Sequence, residues 1–374
     1  MSAVRQLYVH LPFCAHRCGY CDFVTVVGRT SLHEQYVDAV LAELDLERGL
    51  LADELETVFL GGGTPTFTEK AALARLLGAL PTATEVTVEA NPETVTSALA
   101  SLLRECGVNR VSLGAQSFSP ELLRVLERRA QPEDVRRAVY ALRDANFDNI
   151  SLDLIYGIPG QSAADLDRDL DEALALEPDH LSCYELEAKP GTRFTHTFGD
   201  ELRRQADAME AYFERVVERL TSAGYRWYET ANFCRPGRPA AAPDFRARHN
   251  LAYWRGRDYV GLGIGAVSTV GGGRWTNTPK LGEYLAALGN GERPRRLAEP
   301  IDEETRSRER IMLGLRLDEP LPLGGLETAL DDAALARLTQ HGLAVVAGAN
   351  GTKTLTLSER GRFLGGGVTA ELLA

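Results

Sequence analysis

The sequence predicts an α/β protein: a partial barrel of six strand–helix units, (β/α)6, followed by a small winged-helix-like α+β domain. Two observations carry this. Short apolar runs alternate with helical periodicity six times between Leu7 and Leu186. Such alternation calls for a parallel sheet with right-handed crossovers, and it stops short of the eight units of a closed barrel. Beyond about residue 300, helical stretches are followed by two short strands and a last helix, the pattern of helices with a wing.

The first strand is Leu7-Tyr8-Val9-His10-Leu11, stopped by Pro12-Phe13. Ser31 to Leu51 has a helical period, with Tyr36, Val37, Val40, Leu41 and Leu44 on one face. Thr57-Val58-Phe59-Leu60 reads as a buried strand running into Gly61-Gly62-Gly63-Thr64-Pro65, and Glu69 to Leu80 as a helix. Val86 to Glu89 is the third strand, closed by Ala90-Asn91-Pro92, with a helix behind it through Arg104. Arg110 to Leu113 is the fourth, ending in Gly114-Ala115-Gln116, and helical text then fills Glu121 to Asp144. Ile150 to Ile155 is the fifth, and a helix over Ala163 to Leu176 leads to the sixth, Leu181 to Leu186.

A long amphipathic helix is predicted over Asp200 to Ala223, then Tyr225 to Glu229 and an exposed loop over Arg235 to Arg248. His249 to Asn277 is glycine-rich and aromatic, and is expected to form strands and turns that close the open side of the barrel. Asn290 to Pro300 reads as a polar linker. Helices near Glu303 to Leu315 and Leu326 to His341 precede strands at Ala344 to Val346 and Thr354 to Leu357. The expected division is therefore 1–235, 236–300 and 301–374.

A net charge of −12 argues against nucleic acid as the main partner, because phosphate binding needs a basic face. No basic-then-apolar leader precedes the first strand, and Val260 to Gly273, the longest weakly polar stretch, is too short to span a bilayer. Six cysteines without a secretory signal read as reduced thiols, so a cytoplasmic location is expected.

Chemistry concentrates at Cys14, Cys18 and Cys21, three thiols within eight residues on a loop delivered by the first strand. Three thiolates suit zinc or an iron–sulfur cluster, with His10 or His16 available to complete a zinc site. The spacing favours a cluster, whose fourth iron would stay open to an exchangeable ligand. Asp153, inside the apolar strand Leu152-Asp153-Leu154, also stands out, since a buried acid is costly unless paired or ligand-bound.

CxxxCxxC after a first strand resembles the signature of the radical S-adenosylmethionine (SAM) superfamily. The fuller text YVHLPFCAHRCGYCDF resembles one branch of it, the oxygen-independent coproporphyrinogen oxidase-like proteins and heme chaperones. The resemblance implies a 4Fe–4S cluster on Cys14, Cys18 and Cys21, with the unique iron chelating SAM. It places Tyr8, Tyr20, Gly62, Gly63, Thr64, Glu89, Gln116, Arg128 and Asp153 around SAM, and it implies an external electron donor. Reduction of the cluster in such proteins cleaves SAM to methionine and a 5′-deoxyadenosyl radical. On the residues alone, Glu89 could equally be a solvated acid, Tyr8 and Tyr20 packing aromatics, and Arg129 could replace Arg128 at the site.

Two features separate chaperone from oxidase. Phe23 stands where the oxidases carry a fourth cysteine, and His249-Asn250-Leu251-Ala252-Tyr253-Trp254 resembles the chaperone motif HNxxYW. Tyr228 to Phe233 matches the same branch. Heme as a ligand, His249 as its axial ligand and heme-acceptor proteins as partners are what this resemblance implies. The plainer alternative is that His249-Asn250 cap a turn while Tyr253 and Trp254 are core. The loop between Phe233 and His249 is longer than usual, and Ala130 replaces a frequent histidine. An oxygen-independent coproporphyrinogen III dehydrogenase is the alternative function. The tail is expected to be an interaction module, one that could dock a membrane surface or a respiratory partner.

Overall fold

The computed structural model describes residues 3–187, 189, 193–237, 244–349 and 352–373. β1 (Gln6–Leu11) leads into the short strands β2 (Phe13–Cys14) and β3 (Val26–Val27), whose parallel pairing brackets the cysteine loop. β4 (Leu55–Gly62), β5 (Ala83–Ala90), β6 (Arg110–Gln116), β7 (Ile150–Tyr156) and β8 (His180–Glu185) continue the barrel. Each lies parallel to the strand before it, β4 pairing with β1. α1 (His33–Glu47), α2 (Lys70–Ala79), α3 (Ser97–Glu105), α4 (Pro120–Val125), α5 (Pro132–Asp144) and α6 (Ala163–Ala175) fill the crossovers.

Alternation within each strand sorts the side chains. Val58, Leu60, Val88, Val111, Leu113, Ile150, Leu152 and Leu181 face the helices and join one core. The opposite face is polar. Ser112 Oγ donates to Asp153, Ser151 Oγ meets His180 Nδ1 at 2.8 Å, and Thr57 Oγ1 meets His249 Nδ1 at 2.7 Å. The barrel interior is thus a hydrogen-bonded polar network rather than layers of aliphatic side chains, and such a network is stable only when its members are paired.

The barrel does not close. β9 (Arg226–Glu229) and β10 (Asn232–Cys234) are added antiparallel beyond β8, while β11 (Val260–Leu262) lies parallel along β1. The nine strands run β11-β1-β4-β5-β6-β7-β8-β10-β9, with β11 and β9 as the free edges. α9 (Arg248–Trp254) lies between them in sequence and packs against the amino-terminal part of β4 through the His249–Thr57 contact.

Four predicted elements differ from what is observed. The stretch from His249 to Asn277, expected as strands and turns, opens with the helix α9 and supplies strands only after it. The helix read over Glu121 to Asp144 is two helices, α4 and α5. Pro132 opens α5, and Gln131 with Asp134 forms its capping box, so the chain must restart there. Glu127 sits in the break at φ 57° and turns Arg128 away from the helix path. The helix read over Asp200 to Ala223 is α7 (Arg193–Gln205) and α8 (Met209–Ser222), joined by a single tighter turn at Ala206–Ala208. The supposed linker Asn290 to Pro300 supplies β14 (Arg296–Pro300), which pairs with β13 (Gly273–Asn277) and through it β12 (Val267–Val270). α10 (Leu281–Gly289) connects β13 to β14. The exposed loop predicted after Arg235 falls partly outside the described residues.

The tail comprises α11 (Glu303–Gly314), β15 (Leu321–Pro322), α12 (Asp332–Gln340), β16 (Ala344–Ala349), β17 (Thr352–Leu357), α13 (Glu359–Phe363) and α14 (Gly365–Leu372). Its three-stranded sheet, ordered β15-β17-β16, covers a separate core of Ile311, Leu315, Leu338, Leu355 and Leu372. Phe363 ties it to the barrel by packing on Phe213 and Trp227. Among the described residues, no helix is long and apolar enough to cross a membrane.

Candidate functional site

A cavity of about 510 Å³ opens at the carboxyl ends of the strands, the end at which parallel α/β folds place their chemistry. Cys14, Cys18, Cys21 and Tyr20 line one wall; Gly62, Gly63, Thr64, Glu89, Gln116, Arg128 and Asp153 line the rest. Eleven of the thirteen residues singled out in the sequence are therefore in one place, although they come from five strands and three loops.

The local chain explains each position. Pro12 and Phe13 end β1, and β2 carries Cys14 into the cavity wall. A hydrogen bond of 3.2 Å from Cys21 N to Cys18 O folds the loop between the other two cysteines. The glycine run after β4 is dictated by crowding. A Cβ on Gly62, which has φ 107°, would lie 2.4 Å from the His10 ring, and one on Gly63 would lie 2.6 Å from the Pro12 backbone. Glycine lets the ends of β1 and β4 draw together, and the Gly62 amide then donates to Glu89 Oε2 at 3.1 Å. Gln116 ends β6 with φ 66°.

A polar ring surrounds the sulfurs. Cys14 Sγ lies 3.4 Å from Thr64 Oγ1, which accepts from Asn91 Nδ2 at 3.2 Å. Arg128 Nη2 donates to Asn91 Oδ1 at 2.9 Å and to the Gly114 carbonyl at 2.7 Å, while Nη1 reaches Cys18 Sγ at 3.7 Å. Arg128 rather than the exposed Arg129 faces this cavity, because the break between α4 and α5 turns it inward. Asn91 was legible only as part of an Asn-Pro turn; its place between Glu89 and the barrel rim is what gives it this role.

Electrostatics separate the two carboxylates from ordinary surface acids. Burial, with the neighbouring Asp153 charge adding to it, pushes Glu89 up to about 7. Burial also raises Asp153, partly offset by hydrogen bonds from Ser182 and Ser112. The Cys14 and Cys21 thiols are raised by the same desolvation.

These residues fit an iron–sulfur cluster better than a single ion. His10, which could complete a zinc site, has both ring nitrogens engaged instead, Nδ1 with Tyr8 OH at 2.9 Å and Nε2 with the Val24 carbonyl at 2.8 Å. A cluster spreads its thiolates over several irons, and the donor set here is three soft sulfurs. Arg128, with its Nε buried and unpartnered, supplies positive charge against the Cys18 sulfur.

Tyr8 and His249 lie elsewhere. Tyr8 sits deeper in the barrel, its hydroxyl 2.9 Å from His10 Nδ1 and its ring stacked on Phe59. His249 is 1% exposed, and both of its ring nitrogens are engaged: Nδ1 with Thr57 Oγ1 at 2.7 Å, Nε2 with Tyr253 OH at 2.9 Å. Its backbone amide donates to Glu85 Oε1 at 3.3 Å. Thr57 and Glu85 precede Gly61 and Glu89 by four residues on their strands, about 13 Å back toward the amino ends. His249 therefore plugs the opposite end of the barrel from the cysteines, and as an axial ligand it would have to give up one of these bonds. Burial lowers it to about 3, so it is a neutral imidazole there. Tyr253 and Trp254 are half-buried at the end of α9 rather than core, Trp254 beneath Arg316 at 4.5 Å.

An open six-unit barrel with a three-cysteine loop after its first strand is the radical SAM architecture, and the model of the Radical SAM superfamily matches residues 8–173. Similarity extends much further than that segment. The heme chaperone HemW of Mycobacterium tuberculosis (strain H37Rv) is 36% identical over 98% of this chain and 94% of its own length. HemW of Bacillus subtilis is 32% identical over 84% and 83%, and HemW of Escherichia coli 38% identical over 70% and 69%. The chain belongs to the HemW family of radical SAM proteins. The solved structure of coproporphyrinogen III oxidase (HemN) from Escherichia coli superposes with a TM-score of 0.80 over 100% of this chain and 90% of that one. At 24% identity, that likeness is one of fold.

Proposed function

We propose that this protein is a heme chaperone: it binds heme and passes it to acceptor proteins, and it carries a SAM-ligated 4Fe–4S cluster. The observation that carries the reading is similarity to curated heme chaperones along 98% of the chain, tail included. Phe23, 63% exposed at the rim of the cavity, supports it, since no fourth cysteine stands there.

Cys14, Cys18 and Cys21 would hold the cluster. Tyr20, Gly62, Gly63, Thr64, Glu89, Gln116, Arg128 and Asp153 would hold SAM, with Tyr8 supporting them from behind. When bound, the two supply one-electron chemistry fed by an external donor. The chain's own residues orient and screen: Arg128 balances thiolate charge, and Glu89 takes up or releases a proton near neutrality. All six cysteines are unpaired, which suits a reducing cytoplasm. Val345 and Val346, exposed on the wing, offer the tail an apolar surface for an acceptor protein or a membrane face.

The test is a hemin titration of the reconstituted protein followed by Soret absorbance, run beside a coproporphyrinogen III decarboxylation assay with SAM and a reductant. Saturable heme binding without decarboxylation is expected. Robust decarboxylation would replace this reading with the dehydrogenase, and an unchanged Soret band would remove heme from it.

A further inference from the structure

A second cavity, about 630 Å³, lies where the tail meets the barrel, within the range of cofactor sites. Its walls are mostly apolar, built by Phe213, Met312, Leu315 and Phe363, and three arginines border it: Arg308, Arg316 and Arg362. Among the described residues no carboxylate lines it. The cysteine cavity has the reverse balance, with Asp22, Glu89, Asp153, Glu185 and Glu187 against Arg17, Arg128 and Lys189. A flat apolar dianion such as heme is therefore matched by the interdomain cleft and opposed by the barrel mouth.

Three further features of the cleft ask for a ligand. Arg362 lies 3.7 Å over the Trp227 ring, and its Nη2 is buried without a hydrogen-bond partner. A buried cationic donor left unpaired is costly, and a carboxylate brought into the cleft would relieve it. Met312 is 52% exposed on the face of α11 that also carries Arg308 and Leu315, four residues before it and three after. α14 opens with Gly365-Gly366-Gly367, and a Cβ on Gly366 or Gly367 would meet nothing within 4 Å. Packing within the chain does not require those glycines, and they weaken a helix. Gly365 and Gly366 border the cleft and keep that wall smooth enough for a planar ring.

We propose that heme binds in the cleft between the tail and the barrel, with its propionates on Arg308 and Arg362 and the Met312 thioether as an axial ligand to iron. Arg316 is held by Glu229 Oε1 at 2.7 Å and serves as wall rather than anchor, whereas Arg308, which donates to the Leu373 carbonyl, has only a looser ion pair, 3.8 Å to Glu304 Oε1, for a propionate to replace. A thioether is an established heme ligand. The site opens on the junction of two structural units, where an acceptor protein reaches heme without reaching the cluster. The inference rests on the heme-chaperone reading above.

Hemin is titrated into the full-length, cluster-reconstituted protein and into Met312→Ala, Met312→His, Arg308→Gln and Arg362→Gln, with hemin dimethyl ester as a second ligand. Met312→Ala should lose the thioether signature in absorption and EPR spectra and bind about tenfold or more weakly, and Met312→His should restore affinity with an imidazole signature. Each arginine variant should weaken hemin about tenfold while leaving the ester, which lacks the carboxylates, unchanged. Arg362 packs on Trp227, so its variant is checked by circular dichroism; Arg308, with a side chain 43% exposed, carries the same test without that risk. Unchanged affinity and spectra in folded Met312→Ala and Arg308→Gln would overturn the cleft site while leaving heme binding intact. No Soret change in the wild-type protein would overturn the heme reading itself, and this site with it.

Discussion

The two ends of the barrel interior are built from the same strands and do opposite things. At the carboxyl end, Glu89, Asp153 and Arg128 face an open cavity, and Arg128 Nε has no partner. At the amino end, His249, Thr57, Glu85 and Tyr253 are closed on one another, and both nitrogens of the buried imidazole are spent. Unsatisfied, partly open polar groups make a binding site, whereas a satisfied buried network makes a plug. The difference teaches that a motif matched in sequence can be structural at one end of a fold and ligand-directed at the other.

Removing a sulfur should break the contrast most completely. Cys18→Ala is expected to abolish cluster reconstitution, read as loss of bound iron and of charge-transfer absorbance, while thermal stability of the apo protein stays within a few degrees. Unfolding of that variant would mean that the loop is structural.

His249→Ala should do the reverse. Loss of two buried hydrogen bonds and the contact with Phe59 is expected to cost about 2–4 kcal/mol in urea denaturation. Cluster content per folded molecule should be unchanged. A stable variant that cannot bind heme would restore His249 as the ligand and count against the cleft.

The pH dependences of the two ends run in opposite directions. His249 is neutral when folded and has a pKa of about 3, below its ordinary 6.5, so the unfolded chain binds more protons between those values. Stability should fall on acidification from about pH 6.5 toward 3, by up to about 1.4 kcal/mol per pH unit from this residue, and His249→Gln should remove that share. His180, lowered in the same way by burial, adds to the slope. Glu89, raised from 4.5 to about 7, favours the folded state below 4.5 and loses that advantage as pH rises through 7. Glu89→Gln should therefore stabilise the apo protein by about 1–2 kcal/mol at pH 8, discounted for its opening to the cavity, while weakening SAM binding in calorimetry. A destabilised Glu89→Gln would show that the carboxylate is a structural acceptor for the Gly62 amide.

The smallest effects test the helix break. Arg128→Gln should lower cluster or SAM retention about tenfold, whereas Arg129→Gln, on exposed surface, should change stability by no more than about 0.5 kcal/mol and leave the cluster intact. Equal effects from both would mean that the α4–α5 junction does not select between them.

Much of the carboxyl end was legible because its signals are local and repeat with the architecture. Each of Cys14, Gly62, Glu89, Gln116 and Asp153 stands at a fixed place relative to its own strand, and parallel strands bring such places together without further information. Arg128 was ambiguous with Arg129 because a one-residue choice depends on where a helix stops, and the stretch reads as continuous until Pro132 is given its weight. The strand at Arg296–Pro300 was missed because its pairing with Gly273–Asn277 is set by a partner, while its own composition is that of a linker.

By itself the sequence determined the six-unit α/β barrel, the three-sulfur loop and the compact tail, since periodicity, turn residues and close spacing are properties of short segments. Tertiary structure alone decided which end of the barrel His249 reaches, through contacts with Thr57 that span 192 residues of chain. It also decided that Met312, Arg308, Arg362 and Phe213 border one cleft. Neither is written in any local pattern, because both arise from the packing of separately folded segments, where the burial of apolar area and the pairing of polar groups are settled together.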